Sequence, residues 1–110
     1  MSSEDNGYDQ ERRPQKEGLA TEREKIELPR RYKVLIHNDD YTTMDFVVMI
    51  LQRVFHRHRE EAEAIMLKVH KEGMAVCGIY TFEIAESKVD KAVRMARDGG
   101  HPLKCTMEME

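Results

Sequence analysis

The run His37-Asn38-Asp39-Asp40-Tyr41-Thr42 concentrates oxygen acceptors: one amide and two adjacent carboxylates follow a strand-like segment and precede a helix-like one. Asn and Asp favour such turns because their side chains bond nearby backbone, so one meaning of the run is a polar turn. The other is a site for a small cation or an ammonium group, whose donors need several acceptors converging on one point. A calcium ion would call for more oxygens at regular loop spacing, and no EF-hand pattern is present.

Of the five histidines, His70 is the one whose spacing relates it to an apolar face. It follows Met66 by four residues, so the two project on the same side of a helix, with His70 at the edge of the apolar arc. That position suits a structural edge residue or a ligand to something bound beside it. His56 and His58 flank Arg57 and cannot share a helical face, which makes them solvated; His101 precedes Pro102 in a turn. Ser87 has Glu83 and Lys91 at i−4 and i+4, a charged and exposed surface. No nucleophile elbow, phosphate loop or HExxH helix occurs. Asp39, Asp40 and His70 are the one set that acid–base chemistry could use.

The elements that position these residues follow from periodicity. Tyr32 to His37 is β-branched and partly alternating, and Asn38-Asp39-Asp40 halts it, so it is a strand. Met44, Val47, Val48, Leu51, Val54 and Phe55 then recur at helical spacing, with Thr42 as the expected N-cap and Asp45 at the third helical position. A second helix is expected from Arg59, with Ala62, Ile65, Met66 and Val69 inward and Gly73 at its C-terminal end. Met74 to Tyr80 reads as a mostly buried strand. Thr81 should cap a third helix with the stripe Ala85, Val89, Ala92, Val93 and Ala96, ended by Gly99-Gly100. The last strand alternates Leu103, Cys105, Met107 and Met109 against Lys104, Thr106 and Glu108. The fold class is α+β: a small three-stranded antiparallel sheet with three helices, in the order β-α-α-β-α-β.

Composition bounds the rest. The 110 residues allow one domain, and from Met1 to Arg31 there are 15 charged and six apolar residues with no period. Such a segment cannot bury enough surface to offset its ordering entropy, so residues 1–31 are expected to be a disordered tail and 32–110 the folded domain. The net charge is −3, from 18 basic and 21 acidic side chains. That argues against nucleic-acid binding, which needs a concentrated basic surface. The longest apolar run, Phe46 to Leu51, is far short of the roughly 20 residues a membrane span requires. Met1 to Gln10 carries no basic residue and leads into no apolar stretch, so a cytoplasmic location is expected. Cys77 and Cys105 are then two buried thiols rather than a disulfide, and neither belongs to a CxxC zinc pair. Met44, Met49, Met66, Met74 and Met95 are many for a small core; they fill gaps or line an adaptable pocket.

Six ordered blocks together resemble the ClpS family of protease adaptors. They are Tyr32-Lys33-Val34, Asn38-Asp39-Asp40-Tyr41-Thr42, Met66-Leu67-Lys68-Val69-His70, Cys77-Gly78-Ile79-Tyr80-Thr81, Ala85-Glu86-Ser87-Lys88-Val89 and His101-Pro102-Leu103-Lys104-Cys105-Thr106-Met107-Glu108. The resemblance implies a bacterial N-end rule adaptor, not an enzyme, without metal or cofactor. Such an adaptor binds proteins with N-terminal Leu, Phe, Tyr or Trp, delivers them to the ClpA unfoldase of ClpAP, and so modulates ClpAP substrate choice. It also implies that Asn38, Asp39, Asp40 and His70 surround the substrate's α-amino group, directly or through water. Ile36, Thr42, Met44, Val47, Met66, Val69 and Leu103 would form or border the side-chain pocket, with Met44 rejecting β-branched first residues. Glu83 and Lys88 would contact the ClpA N-terminal domain, and the unfoldase would take up the tail. Thr43 departs from the family by standing where many members carry proline.

Two other readings compete with the N-end rule adaptor. One is an α+β interaction module that docks a partner through its third helix and ignores N-termini. The other is a small hydrolase built on Asp39, Asp40 and His70. Neither membrane nor nucleic acid is implied as a partner by any of the three.

Overall fold

The computed structural model describes residues 28–110, so 1–27 of the expected tail lie outside the described residues. The elements run β1 (Arg31–His37), α1 (Met44–Arg53), α2 (Arg59–Glu72), β2 (Met74–Thr81), α3 (Phe82–Asp98) and β3 (Lys104–Met109). This is the order expected from the sequence. Ordered strand begins one residue before the expected boundary. Arg31 pairs with Thr81, its carbonyl accepts from Glu110 N–H at 2.9 Å, and its guanidinium meets the Glu110 carboxylate at 2.8 Å.

The sheet is antiparallel in the order β2-β1-β3, which makes the strand with the continuous buried run Val34-Leu35-Ile36 the central one. Val34 and Ile36 of β1 are fully buried against the helices, with Ala75, Cys77 and Cys105 from the flanking strands. Helix α3 lies against all three strands, while α2 packs on β2 and on α1. The α3 stripe is graded: Ala85, Ala92 and Ala96 are buried, and Val89 and Val93 are partly so. Small residues at the buried positions let the helix approach the sheet closely.

Strand β2 departs from its expected burial. Only Ala75, Cys77 and Gly78 are buried, whereas Met74, Val76 and Ile79 are exposed, because β2 is an edge strand with one face open. Its register slips between Val34↔Gly78 and Leu35↔Val76, leaving Cys77 as the extra residue of a bulge. Cys77 and Gly78 are therefore buried in succession. The Cys77 carbonyl accepts from Arg57 Nε at 3.0 Å and Nη2 at 2.8 Å. Gly78 leaves room for the Tyr80 ring: a Cβ there would stand 2.7 Å from its Cε2, and the ring would have to shift. On β3 the expected alternation fades, since Leu103 and Cys105 are buried but Met109 is half exposed at the strand's outer end.

The helix ends also show where local signals mislead. Helix α1 ends at Arg53, and Val54 and Phe55 stay buried just beyond it. Thr81 occupies the cap position of α3 but its side chain makes no capping bond, because it also closes β2. His58, expected to be merely solvated, is exposed and starts α2, where its N–H donates to the Glu61 carboxylate at 3.2 Å. His56 is exposed and turns the chain with a left-handed φ of 56°. Both cysteines are buried free thiols. Among the described residues, no helix is long and apolar enough to cross a membrane.

Candidate functional site

The end of β1, the start of α1 and the end of α2 meet around one cavity of about 290 Å³. Three devices bring them together. The Asn38 N–H donates to the Gly73 carbonyl at 2.8 Å, pinning the loop after β1 to the end of α2. Gly73 can hold that place because it sits at φ 95°, where a side chain would be strained, and its own N–H returns to the Val69 carbonyl at 2.9 Å. Asp39 Oδ1 accepts from the Tyr41 N–H at 2.8 Å and the Thr42 N–H at 2.7 Å, folding the loop back on itself.

This turn moves the helix cap. Thr42 is committed to Asp39, so Thr43 caps α1, its Oγ1 accepting from Phe46 N–H at 3.1 Å. The expected cap at Thr42 and the acid at the third helical position are thus each displaced by one residue. Asp45 lies second in the helix and still favours its positive end.

The cavity has a polar rim and an apolar floor. Asn38, Asp39, Asp40 and His70 stand on the rim, with Asn38, Asp40 and His70 exposed. Val47 and Val69 are buried on the floor, Met66 is partly buried, and Met44 is 45% exposed at the edge. Thr42 and Thr43 complete the wall. Ile36 and Leu103, expected to form or border the pocket, lie instead in the core behind it and do not line it. They support the floor through packing. His37 is turned to other use, sharing a hydrogen bond of 2.8 Å with Thr106 on the neighbouring strand.

Burial tends to raise the Asp39 carboxyl, yet bonds from the Thr42 side chain and the Tyr41 and Thr42 amides, with the His101 charge, hold it below the usual value. Asp39 is therefore an anion throughout the neutral range. The C-terminal end of α2 adds its partial negative charge on the opposite side. The arrangement suits a group with several donors and a positive charge, joined to an apolar side chain. Among the described residues, no three His, Cys, Asp or Glu side chains are grouped to hold a metal ion.

On α3, Glu83 is exposed, while Lys88 is largely occupied within the fold. Lys88 Nζ donates to the Val54 carbonyl at 2.7 Å and lies 5.3 Å from the Tyr80 ring centroid. Burial, with Lys91 nearby, lowers its pKa. Beside Glu83, Phe82 and Ile84 are exposed, and Phe82 meets Tyr32 edge-on at 5.2 Å.

The ATP-dependent Clp protease adaptor protein ClpS model matches residues 27–106. This chain belongs to the ClpS family. It is 54% identical over 92 residues to the ATP-dependent Clp protease adapter protein ClpS of Desulfatibacillum aliphaticivorans, covering 84% of this chain and 88% of that one. Its counterpart in Paraburkholderia xenovorans is 52% identical over 90 residues, covering 82% and 86%. The solved structure of Agrobacterium tumefaciens ClpS2 bound to L-phenylalaninamide is similar with a TM-score of 0.73 and 36% identity, over 76% of this chain and all of that one. As a ClpS-family adaptor of the Clp protease, the chain is not itself a protease.

Sequence reasoning missed Thr43 as both cap and cavity wall, the Gly73 carbonyl as anchor of the loop, and the influence of the His101 charge on Asp39. Thr43 was legible in principle, since two adjacent threonines offer alternative caps. The other two depend on contacts between distant segments, and no local pattern signals them.

Proposed function

We propose that this chain is a cytoplasmic N-end rule adaptor that captures polypeptides by their first residue. Asn38, Asp39, Asp40 and His70 hold the α-amino group, and the floor of Val47, Met66 and Val69 seats a Leu, Phe, Tyr or Trp side chain beside Met44. The observation that carries this reading is the acceptor rim standing directly over an apolar floor in one cavity. An α-amino group, with a pKa of roughly 7.7–8.0, is mostly an ammonium with three donors at neutral pH. An internal residue offers one N–H and no charge. Burying a Leu or Phe side chain adds about 1.5–3 kcal/mol, so two moderate contributions combine into a selective site. The phenylalanine amide bound by the Agrobacterium relative carries the same pairing of free amine and aromatic side chain.

Delivery to a ClpA-type unfoldase is assigned to α3. Glu83, with exposed Phe82 and Ile84, offers a charged and apolar surface to the unfoldase N-terminal domain. Lys88 serves the same surface mainly by fixing α3 to the end of α1. A module that only docks a partner through α3 would use Phe82 and Ile84 but would leave the acceptor rim without a ligand.

Fluorescence anisotropy with peptides that differ only in residue one (Phe, Leu, Val or Lys), and with N-acetylated Phe, tests the reading. Phe and Leu should bind, and acetylation should abolish binding. Affinity indifferent to both changes would refute it.

A further inference from the structure

We propose that Met66 is a movable partition that sets how large a first side chain the site accepts: for the largest, Trp, its thioether end withdraws into a second cavity on its other side. The inference rests on the reading of the site given above and adds to it a neighbouring cavity, with residues that do not line the first.

The second cavity, of about 420 Å³, lies between α1 and α2, and its walls include Val48, Met49 and Gln52 from α1 and Arg59, Glu63 and Leu67 from α2. Of the residues lining the two cavities, Met66 alone is shared with the one of about 290 Å³ beneath the acceptor rim. Helical phase explains the division. On α1, Met44 and Val47 turn to the first cavity, while Val48, Met49 and Gln52 form a neighbouring stripe that turns to the second. On α2, Arg59, Glu63, Met66 and His70 recur at i, i+4, i+7 and i+11, so the two cavities follow one another along a single stripe with Met66 at their junction.

Met66 is the part of the floor that can give. Val47 and Val69 are buried, and their β-branched side chains are stiff in a helix. Met66 is only partly buried, unbranched and able to fill irregular space in several conformations. Side chains on a helix lean toward its N-terminus, which from Met66 is the direction of Glu63 and the second cavity. The far wall there is loosely held, since Met49 is half-buried and Leu67 is exposed. A floor fitted rigidly to Leu would be overpacked by Trp, and overpacking a fixed wall is destabilising. Met44, exposed at the edge, borders the entrance and gives no depth.

Met49→Phe and Leu67→Phe each fill the second cavity from a wall that the first does not share. Anisotropy gives the affinity of each variant for two peptides that differ only in beginning with Leu or with Trp. Each substitution should weaken the Trp peptide about five- to fiftyfold and leave the Leu peptide within about twofold, which also shows that the variant is folded. Met66→Ala removes the partition, so adding it to Met49→Phe should cancel the Trp-specific loss. In methyl NMR of the wild type, the Trp peptide should bring the Met66 methyl into nuclear Overhauser contact with that of Met49, and the Leu peptide should not. Equal losses for both peptides, Trp affinity unchanged in both variants, a loss that persists with Met66→Ala, or a Met66 methyl that stays in place would overturn the proposal. So would a wild-type protein that binds the Leu peptide and not the Trp peptide. Wild-type affinity indifferent to residue one and to its acetylation refutes the reading of the site itself, and the partition falls with it.

Discussion

Replacing Asp39 with asparagine separates two duties that the structure gives to one side chain. Oδ1 shapes the loop by accepting from the Tyr41 and Thr42 N–H groups at 2.8 and 2.7 Å, and the negative charge faces the cavity. Asparagine keeps the carbonyl oxygen for the first duty and abolishes the second. Two unit charges at roughly 4 Å attract by about 4 kcal/mol at an effective dielectric of about 20, and solvent at an open rim reduces this. Hydrogen bonds to charged partners are worth about 1.5–3 kcal/mol, and about 1.4 kcal/mol is tenfold in affinity. Asp39→Asn should therefore raise Kd for a Phe-initiated peptide by about ten- to a hundredfold and lower the thermal midpoint only by the charge-dependent part of the loop bonds. Asp39→Ala removes the loop's acceptor as well, so it should lose at least as much affinity and also lower stability. Anisotropy titration and thermal unfolding of the same preparations provide both readouts. If Asp39→Asn binds as wild type does, the carboxylate is a loop former only, and the electrostatic account of the site is refuted.

His70→Ala should weaken binding of a Phe-initiated peptide about three- to tenfold by removing one acceptor from the ammonium; an unchanged affinity would remove His70 from that role. The depressed carboxyl of Asp39 contributes stability that is fully present above the ordinary aspartate value of 3.8 and is lost as pH falls from there through its lower folded value. The difference in urea midpoint between wild type and Asp39→Asn should accordingly shrink on acidification through that window. Gly73→Ala meets no clash but forces alanine to φ 95°, and should cost about 1 kcal/mol, lowering the thermal midpoint by about 4–8 °C. Burial pushes the Cys105 thiol up to about 12 and Cys77 still higher, so both should resist a thiol reagent at pH 8 until denaturant is added; fast labelling of the native protein would contradict that burial.

Much of the frame was legible from spacing alone. The apolar recurrences of α1, α2 and α3, the glycine ending α2 and the acids halting β1 are local signals, set by contacts within about four residues. The acceptor cluster and His70 could be singled out for the same reason, since residue type and helical phase are written in the chain. Tertiary structure decided how those elements share one space. It placed Val47 and Val69 on the cavity floor but Ile36 and Leu103 behind it, although all four are equally apolar in sequence. It gave the Lys88 ammonium to the Val54 carbonyl, bent β2 with a bulge at Cys77, and moved the helix cap to Thr43 once Asp39 had claimed the Thr42 amide. Each of these outcomes depends on which distant group reaches a polar atom or an apolar surface first. Periodicity reports the face a residue presents, whereas the partner on that face is fixed only when the chain has packed.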